Sequence, residues 1–337
     1  MMQLSNQLVF VRCFTYNHES YIEDALNGFA KQQTTFQYVV SVVDDASTDH
    51  NALVITNWLS ENCDHNDNYT IEDRDYGKVI HAQVKNNPNC IFDVVLLKEN
   101  HHHKKLSKSP YSAQFRRASR YMIMCEGDDY WTDPNKLQKQ VEYLETHPEC
   151  SLCFHAAIEH FEDGSHKDRL FAPIENRYYA GEELLQEWRV ATASMMFRRD
   201  IFQIKEFWQQ KREKKIIYGD ISIVLASVKC GRVYGMSDVM SVYRRHSGGA
   251  VYDKSVKTIH AQAEQLVGIA DVMGGNYAPI ALRRATERYI RCFYMASARR
   301  EWEYVIPSLR SAWHISPLGA LRNIFTYPMQ YIIRRFQ

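Results

Sequence analysis

The sequence predicts an α/β protein in which a mostly parallel sheet is flanked by helices and followed by a helical C-terminal region. Three observations carry this expectation: strand-like runs alternate with helical patterns through the first part of the chain, acidic clusters stand directly after two of those runs, and strand signals stop near residue 255.

Residues 8–14 (LVFVRCF) are rich in β-branched and aromatic side chains, and after Thr15-Tyr16-Asn17-His18 the apolar positions Ile22, Ala25, Leu26 and Phe29 share one helical face. Residues 38–43 (YVVSVV) are almost continuously apolar, as a strand buried on both faces of a parallel sheet requires, and they stop at Asp44-Asp45-Ala46-Ser47-Thr48-Asp49. Ala52, Ile55 and Leu59 space a second helix. Residues 94–97 and 121–125 read as further strands, the latter ending at Glu126-Gly127-Asp128-Asp129. Asp133-Pro134 reads as an N-cap with proline at the first helical position, and Leu137, Val141 and Leu144 continue that helix. Ile221, Val224, Leu225 and Val228 mark a helix starting after Asp220, and residues 239–243 read as a strand. The segment around Thr192 and Ser194 reads as strand packing. Helical periodicity near 255–273, 279–300 and 302–314 sets the expected domain limits at 1–254 and 255–337.

The totals exclude some partners. With 41 basic and 40 acidic residues the net charge is +1, so no global field favours nucleic acid. The eight cysteines form no short-domain framework, Cys150 and Cys153 read as structural thiols, and a reducing, cytoplasmic setting is expected. The first residues lack the basic flank and apolar stretch of a secretory leader, and no apolar run reaches the roughly 20 residues of a membrane span. In residues 318–337, Leu318, Leu321, Ile324, Phe325, Met329, Ile332, Ile333 and Phe336 mix with Arg322, Arg334 and Arg335. That pattern suits peripheral membrane contact through an interfacial helix, the alternative being a helix packed on the body and interrupted at Pro328. His101-His102-His103 with Lys104 and Lys105 reads as a mobile basic loop at the rim of a site.

In parallel sheets ligands bind outside the carboxyl ends of the strands, which is where Asp44, Asp45, Asp128 and Asp129 fall. Carboxylates at the end of a buried strand are costly without a cation, a donor or solvent, so Glu126-Gly127-Asp128-Asp129 invites Mn2+ or Mg2+. An ion held by one or two carboxylates keeps positions open for phosphate oxygens.

At these residues the sequence resembles the family 2 glycosyltransferases. Thr15-Tyr16-Asn17 matches their opening loop, and Val43-Asp44-Asp45-Ala46-Ser47-Thr48-Asp49 their Val-Asp-Asp-Gly-Ser-Thr-Asp segment, with Ala46 for glycine. Glu126-Gly127-Asp128-Asp129-Tyr130-Trp131 with Pro134, Lys136 and Leu137 matches their Asp-x-Asp-Asp region, with Glu126 for the first aspartate. Gly219-Asp220 and Tyr243-Arg244-Arg245-His246-Ser247-Gly248 follow in the same order. The resemblance implies a GT-A Rossmann-like fold and inverting transfer from a nucleotide-sugar, UDP being the expected nucleotide, to a saccharide or lipid-linked saccharide. It implies that Thr15, Tyr16, Asn17, Asp44, Asp45 and Asp128 bind the donor, with Tyr16 on the nucleobase and Asp45 accepting its imino hydrogen. It further implies Asp129 and His246 as metal ligands and Asp220 as the general base, a position where an ordinary N-cap is the other reading. Competing functions are a non-catalytic sugar-nucleotide-binding module and a sugar nucleotidyltransferase, although 14–21 lacks the glycine and basic residues of a phosphate loop.

Overall fold

The computed structural model describes residues 7–66, 69–249 and 255–335, with side chains as far as Tyr327. The chain divides into two compact units, the first being Met1–Tyr179, Arg189–Ile201 and Ser227–His246, the second Ala180–Trp188, Phe202–Ala226 and Ser247–Gln337. Two segments that precede the expected limit at 254 thus group with the C-terminal helices.

The first unit holds β1 (Gln7–Thr15), α1 (Ile22–Ala30), β2 (Gln37–Asp44), α2 (Asn51–Asn62), β3 (Thr70–Arg74), β4 (Gly77–Val84), β5 (Asn87–Leu97), α3 (Ala113–Ala118), β6 (Tyr121–Met124), β7 (Tyr130–Trp131), α4 (Lys136–Thr146), β8 (Cys150–Phe161), β9 (Arg169–Leu170), β10 (Arg177–Tyr179), β11 (Met196–Arg198) and β12 (Arg232–Arg245). The strands form one sheet in the order β10-β12-β8-β11-β6-β1-β2-β5-β4-β3, with β7 beside β12 and β9 beside β8. The parallel strands expected from the sequence are its middle, β6-β1-β2-β5. β12 runs parallel to β8, while β11 is antiparallel to both β6 and β8, so β1, β6 and β12 end at the same edge.

The apolar run of β2 is buried from Tyr38 to Asp44 because both of its faces are covered. Val40, Val42, Phe92 and Val94 pack under Leu26, Phe29, Ile55 and Leu59, while Val43, Val79, Val95 and Leu97 face Phe14, Tyr76 and Tyr111. Each such buried aliphatic or aromatic side chain contributes roughly 1.5–3 kcal/mol. α1 approaches β7 so closely that a Cβ on Gly28 would lie 2.9 Å from the backbone N and O of Trp131. Three local expectations are corrected. α4 starts at Lys136, and Asp133 instead closes the preceding turn, accepting from Asn135 N and Lys139 Nζ at 2.8 Å each. Thr192–Ser194 is a 3-10 turn whose buried Ser194 hydroxyl donates to Ala191 O, because the chain bends there before joining β11. The strand read at 239–243 is part of the longer β12, whose register shifts around Val239.

The second unit contains α5 (Gly181–Gln186), α6 (Lys205–Glu213), the opening of α7 (Gly219–Cys230), α8 (Val256–Met273), α9 (Tyr277–Arg299), α10 (Trp302–Ile315) and α11 (Pro317–Arg335). Ser255 caps α8 by accepting from Thr258 N at 3.1 Å. Val256, Ile259, Cys292, Ala296 and Val305 form the core between α8, α9 and α10. Pro328 falls within the range of α11; the side chains of Met329, Ile332, Ile333 and Phe336, read above as part of an interfacial helix, lie outside those described. Among the described residues no helix is long and apolar enough to cross a membrane.

Inside the sheet, Asp93 on β5 stands between Ser41 on β2 and His81 on β4, its Oδ2 3.2 Å from Ser41 Oγ and its Oδ1 3.2 Å from His81 Nδ1. Burial pushes the Asp93 carboxyl from 3.8 up to about 7, against the pull of the Ser41 hydroxyl. The folded chain therefore holds this proton more tightly than the unfolded chain. That contribution to stability is complete below pH 3.8 and is lost as pH rises through about 7. Asp93→Asn is expected to flatten the decline, so urea midpoints compared at pH 5 and pH 8 should show the variant gaining on the parent at the higher pH. Parallel pH dependence in both proteins would refute the protonated state of Asp93.

Candidate functional site

The register brings the ends of three strands level. Thr15 pairs with Asp44 across β1 and β2, and the chain continues beyond β6 with Cys125 N donating to Arg12 O at 3.0 Å and Gly127 N to Phe14 O at 2.9 Å. A Cβ on Gly127 would fall 2.6 Å from Thr15 Oγ1 and 3.0 Å from Ile22 Cδ1, so glycine is required for this close approach. Glu126 is held on both oxygens, by Arg12 Nη2 at 2.8 Å and by Phe14 N at 3.1 Å.

Just past these ends, His18, Asp128 and His246 converge. Each presents one ligand-capable atom, and the three atoms lie within 4.8 Å of one another. His246 Nε2 is 3.0 Å and His18 Nε2 3.9 Å from Asp128 Oδ2. His18 is oriented by Thr15, whose Oγ1 lies 3.3 Å from its Nδ1, and the His246 ring packs on Tyr21 at 4.7 Å between centroids. A partner on the far ring nitrogen of this kind fixes which nitrogen faces the centre. Burial raises the Asp128 carboxyl, but the hydrogen bond from His246 and the electrostatic pull of His18 and His246 outweigh it and leave it below the usual range. Burial depresses His18, partly offset by Asp128.

Asp129, expected as a metal ligand, is 4% exposed and its Oδ1 accepts the Arg244 backbone N–H at 2.9 Å. Burial first, and then the neighbouring charge of Asp128, pushes its carboxyl well above the usual range. The Arg244 guanidinium lies between Tyr21 and Tyr130, bonds Asp24, and reaches Glu162 at 2.5 Å. His18 and Arg244 were not singled out in the sequence. The signal for His18 is its position directly after Thr15-Tyr16-Asn17, and Arg244 stands two residues before His246 in the matched segment.

The other residues expected to bind the donor, and the expected base Asp220, also make bonds within the chain. Asp44 Oδ1 accepts from Ser47 Oγ at 2.5 Å and Asn51 Nδ2 at 2.6 Å. Asn17, at φ 56°, donates its N–H to Ser47 Oγ and accepts from Thr48 N, tying the loop after β1 to that after β2. Ala46 also has φ 56°, which explains the glycine at this place in the resembling family. Tyr16 is half-buried and meets His103 edge-on at 6.0 Å. Asp220 opens α7 in the second unit, half-buried, with its Oδ1 2.7 Å from Ile221 N.

Asp45 is 1% exposed and organises the segment read as a mobile basic loop. Its Oδ1 accepts from His101 N at 2.7 Å, and its Oδ2 from His102 N at 3.1 Å and Lys108 Nζ at 2.8 Å. Asn100 Nδ2 adds a bond to Asp45 O at 2.9 Å. Burial raises the Asp45 carboxyl, yet Lys108 and the two amides hold it below its ordinary value. Charge-assisted bonds of this type contribute about 1.5–3 kcal/mol each. Asp45→Ala is therefore expected to speed hydrogen exchange at the His101 and His102 amides by about tenfold or more; unchanged protection would mean that the loop is held elsewhere.

No protein-family model matches the chain. Uncharacterized protein Rv1520 of Mycobacterium tuberculosis and uncharacterized protein Mb1547 of Mycobacterium bovis are each 32% identical to it over 236 residues, 70% of this chain and 58% of theirs. The chain thus spans less than two thirds of the length of these relatives. Among solved structures, S. aureus TarS 1–349 in complex with UDP-GlcNAc aligns with a TM-score of 0.60 at 14% identity, covering 98% of this chain and 93% of that one. The same TarS fragment with UDP gives 0.58 at 15% identity over 98% and 92%. At such identities the likeness is one of fold, and the chain has the GT-A-like α/β architecture, a helix-flanked sheet with C-terminal helices.

Proposed function

We propose that this protein is an inverting glycosyltransferase of the family 2 type, moving a sugar from a nucleotide-sugar, a UDP-sugar in the first instance, to a hydroxyl of a saccharide or lipid-linked saccharide. The observation that carries the reading is the convergence of His18, Asp128 and His246 at the carboxyl edge of the parallel strands, where open α/β sheets take their ligands. The fold shared with TarS, solved with UDP-GlcNAc, supports the donor class.

The residues fit a divalent ion. Two imidazoles and one carboxylate are a transition-metal donor set rather than the all-oxygen set that Mg2+ takes, which favours Mn2+ of the two ions expected. Such an ion would offset the negative charge that develops on a departing diphosphate. Thr15 fixes the His18 ring, and Asp129 holds the Arg244 backbone from which His246 follows. Glu126 is paired with Arg12 at 2.8 Å, and its charge still raises His18 and Asp129. In the transfer, the acceptor oxygen bonds to the anomeric carbon as the bond from that carbon to the diphosphate breaks, and the hydroxyl proton passes to a base. We assign that base to Asp220 on the sequence resemblance. One in-line displacement inverts the anomeric centre.

Calorimetry with UDP-, GDP-, TDP- and CMP-sugars, each with and without Mn2+, tests the reading. Manganese-dependent binding of a UDP-sugar is expected, and no binding across the panel would contradict it. Asp128→Asn and His246→Ala should each weaken ion-dependent binding by about tenfold or more, the scale of losing one ligand. If Asp129→Asn does so and they do not, the ion sits on Asp129 instead. Asp220→Asn should keep donor binding and slow transfer by roughly 10²–10⁴-fold, the share of a general base; transfer at the parent rate would remove Asp220 from the mechanism.

A further inference from the structure

The exposed large apolar side chains of the second unit are concentrated on its last two helices. Trp302, Ile306 and Trp313 on α10 and Leu318, Leu321 and Phe325 on α11 are 41–81% exposed, while Val305, Ser308, Ala312 and Ala320 on the same helices are buried. Trp302, Ile306 and Trp313 recur at helical spacing, so they form one stripe along α10. A groove of about 460 Å3, lined by Ile306, Leu309, Arg310, Trp313, His314 and Ile324, joins that stripe to α11.

Beyond Glu303, which is exposed in the first turn of α10, the charge on this face has one sign. Glu303 is the last acidic residue of the chain; from Tyr304 to Gln337 there is no aspartate or glutamate and there are four arginines, in a protein with 41 basic and 40 acidic residues overall. Arg310, His314 and Arg322 are exposed beside the apolar stripe, and Arg299 and Arg300 are exposed just before α10.

We propose that the α10–α11 face is a docking surface for an anionic lipid bilayer, lying in the interface plane with Trp302 and Trp313 at headgroup depth. Indole rings favour that depth, where an apolar body and a polar N–H are both accommodated. The exposed arginines meet lipid phosphates there. A second copy of the chain fits less well, since a two-fold interface would set this face against itself with Glu303 as the one carboxylate between 302 and 327 to offset Arg310 and Arg322. The face begins at Trp302, well ahead of the tail at 318–337, and the inference stands independently of sugar transfer.

Co-sedimentation of the full chain with phosphatidylcholine vesicles, and with vesicles of equal parts phosphatidylcholine and phosphatidylglycerol, tests it. Binding to the anionic vesicles is expected, weakening by about tenfold or more in Arg310→Glu/Arg322→Glu and with added salt, and weakening likewise in Trp302→Ser/Ile306→Ser. Circular dichroism of both double variants should match the parent, their sites being exposed. Absence of binding to anionic vesicles, or binding unmoved by either double variant, overturns the proposal. Sedimentation velocity showing a dimer that Trp302→Ser/Ile306→Ser dissolves would assign the face to a second copy instead.

Discussion

The cluster depends on one close approach. Because Gly127 has no side chain, the chain leaving β6 lies against Thr15 at the end of β1, with Glu126 on one side of that contact and Asp128 and Asp129 on the other. Glu126 faces back to Arg12 and the Phe14 amide, Asp128 faces outward to His18 and His246, and Asp129 turns inward to the Arg244 amide. Three acidic residues within four positions therefore meet three different environments.

Those environments solve the electrostatic problem of placing carboxylates at a buried edge. A buried carboxylate is tolerated when donors or positive charge compensate it. Glu126 and Asp128 have such partners in an arginine and two imidazoles, whereas Asp129 is burdened by the charge of Asp128 and is driven toward its neutral form. The same logic governs the end of β2. Asp44 and Asp45 are spent on turn and loop donors, so the pair that the family resemblance associates with the nucleobase also builds the walls of the crevice. A residue can match a family motif because the scaffold needs it, and here Asn17 and Ala46, both at positive φ, show how much of the motif is backbone geometry.

The second unit illustrates a different economy. Its helices bury one face through Val256, Ile259, Cys292, Ala296 and Val305 and leave α10 and α11 with large apolar groups outward. Composition over the whole chain hides this, because the near-neutral total averages an acid-free terminal stretch with a slightly acidic body.

By itself the sequence determined the α/β class, the buried central strand β2, the helices that follow β1 and β2, and the place of the acidic clusters at strand ends. Each of these is a local pattern: continuous apolar runs, helical spacing, and polar residues where a run stops. The tertiary structure decided the rest. β3, β4, β8 and most of β12 were not legible, because their polar and apolar residues answer to partners across the sheet rather than to a period along the chain. The grouping of 180–188 and 202–226 with the C-terminal helices was hidden for the same reason. Above all, His18 and His246 meet Asp128 from 110 and 118 positions away, through the register of β1, β6 and β12. Which donor a carboxylate finds is fixed by which strand ends lie level, and no periodicity within a single segment encodes that.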